Sequence, residues 1–245
     1  MKLTELIDTL TMGYLSNHVM GNISETTGLP IHLAKFIPMV NAGLMDLHKK
    51  FVIRKEEVRI MCSASINRYE LTPEFIYLDG YPMTSEIVRI MEVYDKTGAL
   101  CTMDNISNVS AKYAEHTKEL INGYGINIML PAFNVIGTPK GYEGILKILY
   151  QAGATKIPTV KEGLNVSASV VTVDLPYNYL DALCMYVCSR IFTTILPDQG
   201  LTAANGIAST YLRMYDEECQ RIMLLGLSNE GVAGEYDNFE KGGWV

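Results

Sequence analysis

Residues Asp174 to Leu227, DLPYNYLDALCMYVCSRIFTTILPDQGLTAANGIASTYLRMYDEECQRIMLLGL, place two long stretches of apolar periodicity back to back, and any fold of this chain must bury both. Leu180, Leu183, Val187 and Ile191 recur at helical spacing, with Cys184 and Tyr186 widening the stripe. Asp174 is placed to cap this helix. Pro176 falls in its first turn, where a missing N–H costs nothing. Pro197 and Gly200 interrupt the pattern, and a second helix carrying Ile207, Tyr211, Met214, Tyr215, Ile222 and Leu225 ends near Gly226. Two such helices cannot close a core alone, so their partner has to come from elsewhere in the chain.

The N-terminal part supplies that partner. Leu3, Leu6, Ile7 and Leu10 predict a short amphipathic helix that Gly13 can end. A longer one runs from near Pro30 to about Lys50, with Leu33, Ile37, Val40, Leu44 and Leu47 on one face and Pro38 as an internal strain. Beyond Phe51 the period changes: Val58, Ile60, Cys62, Ala64 and Ile66 alternate with polar residues, as in a half-buried strand. Ile87 to Tyr94, a turn at Asp95 to Gly98, and Ala99 to Met103 read as a hairpin. Ile126 to Leu130 and Ile145 to Tyr150 are further strands, separated by a loop containing Pro131, Gly137, Pro139, Gly141 and Gly144. Ser107 to Gly125 is open between loop and a short helix over Ala111 to Ile121. The expected fold is α+β. Residues 1–51 and 174–228 form a discontinuous α-helical bundle domain, 52–173 an inserted β-rich subdomain, and 229–245 a flexible C-terminal tail.

Searches for reaction chemistry return packing residues. The loop GTPKGYEG from Gly137 to Gly144 lacks the Gly-Lys-Ser/Thr ending of a phosphate loop and reads as a turn. Histidines 18, 32, 48 and 116 are scattered without the two-ligand spacing of a zinc hydrolase, and no Gly-x-Ser-x-Gly elbow is present. Cys184 and Cys188 share a helix face one turn apart, a spacing that suits metal ligands, but buried free cysteine also behaves as a small hydrophobe and that reading is preferred. Asp216, Glu217 and Glu218 are consecutive and therefore fan around their helix rather than converge on one point. The chain is expected to use no metal or cofactor and to catalyse nothing. Asn22, Asn105, Asn108 and Asn165 fit a glycosylation pattern that has no meaning without secretion.

Charge narrows the partners. A formal net charge of −7 argues against gripping nucleic acid, which depends on cations displacing counterions from phosphates. No apolar run is long enough to span a bilayer, and Glu5 and Asp8 interrupt the N-terminal apolar pattern, so neither a signal peptide nor a membrane anchor is expected. Five cysteines without paired spacing fit reduced thiols and synthesis in the cytoplasm. The stretch from Ser228 to Val245 mixes glycines with carboxylates and cannot build a core, yet Tyr236, Phe239 and the single tryptophan, Trp244, punctuate it as anchors for a partner's pockets.

Taken together, Val40 to Ile60, Phe133 to Ile157, Leu175 to Phe192 and Thr210 to Gly226 resemble the head-to-tail adaptor (connector or neck) proteins of short-tailed or long-tailed bacteriophages, in the right order and over most of the chain. The resemblance implies helices packed around an inserted β-region and a ring of twelve copies beneath the capsid portal, through which double-stranded DNA passes. It also implies a C-terminal segment that docks into portal subunits, by Tyr236, Phe239, Trp244 and Val245, and ring packing through Leu183, Val187, Ile191, Tyr211 and Tyr215. Further partners implied are tail tube, nozzle or fibre proteins, with no membrane contact and a place in the neck of the virion after synthesis in the host cytoplasm. An acidic balance suits a channel that must not trap phosphates. A tail-tube or tail-completion component is the alternative, and a small enzyme with a site assembled from distant residues is the third reading.

Overall fold

The computed structural model describes residues 1–15, 30–72, 83, 85–104, 126–132, 134–158, 171–194 and 201–226. The fold is α+β, in two compact units: Met1–Ile53 with Ala154–Val245, and Arg54–Gly153. The first unit is helical and discontinuous in sequence. It contains α1 (Leu3–Asp8), which runs on into a π-turn (Thr9–Tyr14), α2 (Pro30–Lys50), α3 (Leu180–Thr194) and α4 (Leu201–Leu224). Gly13 lies inside the π-turn rather than ending the first helix, and Leu15 N–H closes that turn on the Leu10 carbonyl at 2.9 Å.

The middle of the helical core is α3. Leu183, Cys184, Val187, Cys188 and Ile191 are fully buried, and Tyr186, Ser189 and Phe192 on its flanks are buried as well. Leu6 and Leu10 from the N-terminal turn, Val40, Leu44 and Leu47 from α2, and Tyr215, Cys219 and Ile222 from α4 enclose it. The α2 approach is close because Gly43 has no side chain: a Cβ there would lie 2.7 Å from Leu183 Cδ1 and 2.9 Å from Tyr186 Cδ1.

Two segments expected in the β-insert belong to this helical unit. The side-chain amide of Asn41 clamps Ile157 at both ends, donating to its carbonyl and accepting its N–H, each at 2.9 Å, and Ile157 is buried in the helical core. Residues 171–173 run antiparallel to the N-terminus, with Lys2 bridged to Thr172, Leu3 N–H bonded to the Val171 carbonyl at 3.0 Å and Val173 N–H to the Met1 carbonyl at 2.8 Å. The insert therefore closes at Gly153, not at 173. The same bridge corrects the start of α3. With 173 held in the bridge and Pro176 itself extended (φ −63°, ψ 149°), Pro176 precedes the first turn instead of lying in it; a 3₁₀ turn over Tyr177–Tyr179 leads into α3 at Leu180.

The second unit carries β1 (Lys55–Cys62), β2 (Arg68–Glu70), β3 (Ile87–Tyr94), β4 (Thr102–Asp104), β5 (Asn127–Ala132), β6 (Val135–Gly137) and β7 (Gly144–Ala152). One sheet has the order β1-β7-β3 and is antiparallel throughout; the other has the order β2-β6-β5-β4, with β4 and β5 parallel. Alternation decides the buried face of the first sheet. Val58 and Val93 both stand opposite Ile148, and Ile60 opposite Leu146. These residues join Ile128 and Ile136 of the second sheet and Leu71 in one core. Three expectations are revised. The first strand stops at Cys62 instead of continuing through Ala64 and Ile66, because the Tyr69 hydroxyl accepts the Ser63 N–H at 2.7 Å and donates to the Ile66 carbonyl at 2.9 Å, folding a turn. The hairpin after Tyr94 pairs only as far as Leu100 and Cys101, whose N–H bonds the Val93 carbonyl at 2.7 Å, before the chain crosses to the second sheet as β4. The loop before Gly144 contains β6. The segment Ala111 to Ile121 lies outside the described residues.

Two glycines inside α-helices, Gly43 of α2 and Gly206 of α4, separate packing from propensity. Gly43→Ala should lower the unfolding free energy by about 1–3 kcal/mol through overpacking, less the roughly 1 kcal/mol that alanine adds to a helix. Gly206→Ala, with nothing within 4 Å of the new methyl, should gain about that 1 kcal/mol. Thermal melts of both variants check the opposite signs; equal signs would remove the close α2–α3 approach from the account.

Candidate functional site

The ionisable and hydroxyl side chains with partners gather where elements cross. Tyr215 on α4 donates its hydroxyl to the Asp46 carboxylate on α2. Lys50, one turn after Asp46, reaches Asp46 at 3.4 Å and Asp216 at 3.3 Å, and its ammonium sits 4.2 Å from the centre of the Tyr215 ring. The Tyr186 ring of α3 meets Tyr215 edge-on at 5.3 Å, and the Arg190 guanidinium covers Tyr186 at 5.1 Å. Burial, then the Asp46 acceptor, raises the Tyr215 hydroxyl pKa, so it stays a donor. Burial works against the charge on Lys50, but the Asp46 and Asp216 carboxylates outweigh it and raise its pKa. A protonated phenol and a neutralised ammonium form a seam between helices, and neither is a base.

The other clusters have the same character. In the β unit Glu56 accepts Ser85 Oγ at 2.6 Å and Tyr150 Oη at 2.7 Å, and pairs with Arg54; burial, then Glu56, pushes Tyr150 up to about 12. On α4 the three consecutive carboxylates diverge as their spacing predicts. Asp216 meets Lys50, Glu217 faces Arg213 at 3.8 Å, and the buried Glu218 takes two bonds from Arg221 at 2.6 and 2.7 Å. Burial pushes both α3 thiols up, Cys188 to about 12. The five cysteines are free and buried. The run GTPKGYEG is a turn, with Tyr142 N–H bonded to the Pro139 carbonyl at 3.1 Å and Gly141 and Gly144 at positive φ.

Of the residues expected to pack a ring, Leu183, Val187, Ile191 and Tyr215 are buried within their own helical unit, and Tyr211 packs against that core, stacking on Phe192 at 5.7 Å. Leu183, Val187, Ile191 and Tyr215 are therefore core residues of their own unit, and Tyr211 is partly buried against them. Tyr236, Phe239, Trp244 and Val245 lie outside the described residues. A surface that sequence reading passed over is the outside of α4. This helix of 24 residues buries one stripe, through Ala208, Tyr215, Cys219 and Ile222, and leaves Leu212, Met223 and Leu224 exposed, Leu224 by 87%. Gly226, at φ 62°, closes it with an N–H bond to the Met223 carbonyl at 3.1 Å, so the apolar residues stand at the helix terminus. The signal for it was present in the sequence as the run Met223-Leu224-Leu225, too dense for one helical face.

No protein-family model matches the chain, and no curated protein matches it in sequence. Among the described residues no helix is long and apolar enough to cross a membrane.

Two predictions follow from these contacts. Tyr215→Phe should lower the unfolding free energy by about 1.5–3 kcal/mol, the range for a hydrogen bond to a charged group, as read from the midpoint of a urea titration; an unchanged midpoint would leave the seam without weight. Glu57 and Asp95 set the acid limb of the β unit. Burial raises the pKa of each, but Lys147 and Arg59 outweigh it at Glu57, and the Thr97 hydroxyl with the Thr97 and Ala99 amides outweighs it at Asp95, so both end below their ordinary values. Their contribution is complete above the unfolded values and is lost as pH falls through the folded ones. Stability should thus decline below about pH 4.5, and Asp95→Asn should flatten that decline. A slope that the variant leaves untouched would contradict the assignment.

Proposed function

We propose that this chain is a structural virion subunit, a head-to-tail adaptor that forms a ring between portal and tail and lines the path of the DNA. The observation that carries the reading is α4. A long helix with one buried stripe and an apolar end left exposed is matched to a partner surface, since isolated domains seldom present dense apolar runs at a helix terminus without one. The helix–β–helix order and the discontinuous helical unit fit the same role. So does the use of charged groups at element crossings, where they fix geometry. In this reading the C-terminal stretch, with Tyr236, Phe239, Trp244 and Val245, docks into portal subunits; the β unit faces tail tube, nozzle or fibre proteins; and the protein works without turnover.

The test separates docking from folding. Removal of residues 229–245, or Trp244→Ala, should leave the melting temperature of the isolated chain unchanged while portal attachment in a co-sedimentation assay falls by tenfold or more, the loss expected from a buried aromatic anchor worth about 2 kcal/mol or more. Undiminished attachment would move docking onto the helices. A melt that drops with the truncation would make the stretch part of the fold.

A further inference from the structure

We draw no further inference here: the strongest candidate, the apolar patch that Met223, Leu224 and Leu225 leave exposed at the end of α4, carries none because nothing in the structure shows what covers it.

Discussion

Everything in the helical unit depends on enclosing α3. Its buried residues, from Ala182 to Phe192, occupy almost the whole circumference, so no single neighbour can cover it. Each of Leu183, Val187 and Ile191 contributes about 1.5–3 kcal/mol when taken fully out of water, but only if surfaces close from several sides. Those surfaces come from α1 and its π-turn, α2 and α4, which are separated in sequence by the entire β unit. The chain must therefore leave the helical unit after α2 and come back to it before α3. The two-point clamp of Asn41 on Ile157 and the pairing of residues 1–3 with 171–173 hold the returning strand where that closure requires it.

Charge is spent on the same task. Asp46, Lys50, Asp216 and Tyr215 join α2 to α4; Glu218 and Arg221 cancel within α4; Glu56 gathers Arg54, Ser85 and Tyr150 at the start of β1. A buried carboxylate or phenol is costly unless its partners are complete, and completing them aligns the elements that carry them. The resulting shifts keep tyrosines and thiols protonated. That is the condition of groups that position backbone.

Much of this was legible in the residues. The helical periodicities of α2, α3 and α4 and the alternation of Ile87 to Tyr94 correspond to real elements because burial on one face leaves a direct mark on spacing. Three features left no such mark. The strands β2 and β6 are three residues each, too short for a period to register. The return of the chain at Ala154 depends on one asparagine amide finding one backbone residue 116 positions away. The third concerns Leu183, Val187 and Ile191, which were read as candidates for subunit packing. An apolar stripe looks the same whether it meets its own chain or another copy, and only the presence of α1, α2 and α4 around α3 decides between the two. By the same reasoning, the large apolar residues left exposed after the core is closed include, among the described residues, Met12, Tyr177, Leu212 and Met223 to Leu225 in the helical unit and Met61, Ile66, Leu100 and Ile145 in the β unit.

The enclosed core, the partnered charges at its seams and the apolar residues exposed at the end of α4 are the observations on which the proposed assembly role rests. Particle imaging of the purified chain, alone and mixed with a candidate portal protein, tests the adaptor proposal most directly. The account predicts a ring of twelve-fold symmetry seated on one end of the portal, with the helical units inward or toward the portal in every copy. Portal particles left bare at saturating concentrations of the chain, or a closed ring of another symmetry formed without portal, would contradict the adaptor assignment, the latter in favour of a tail-tube component.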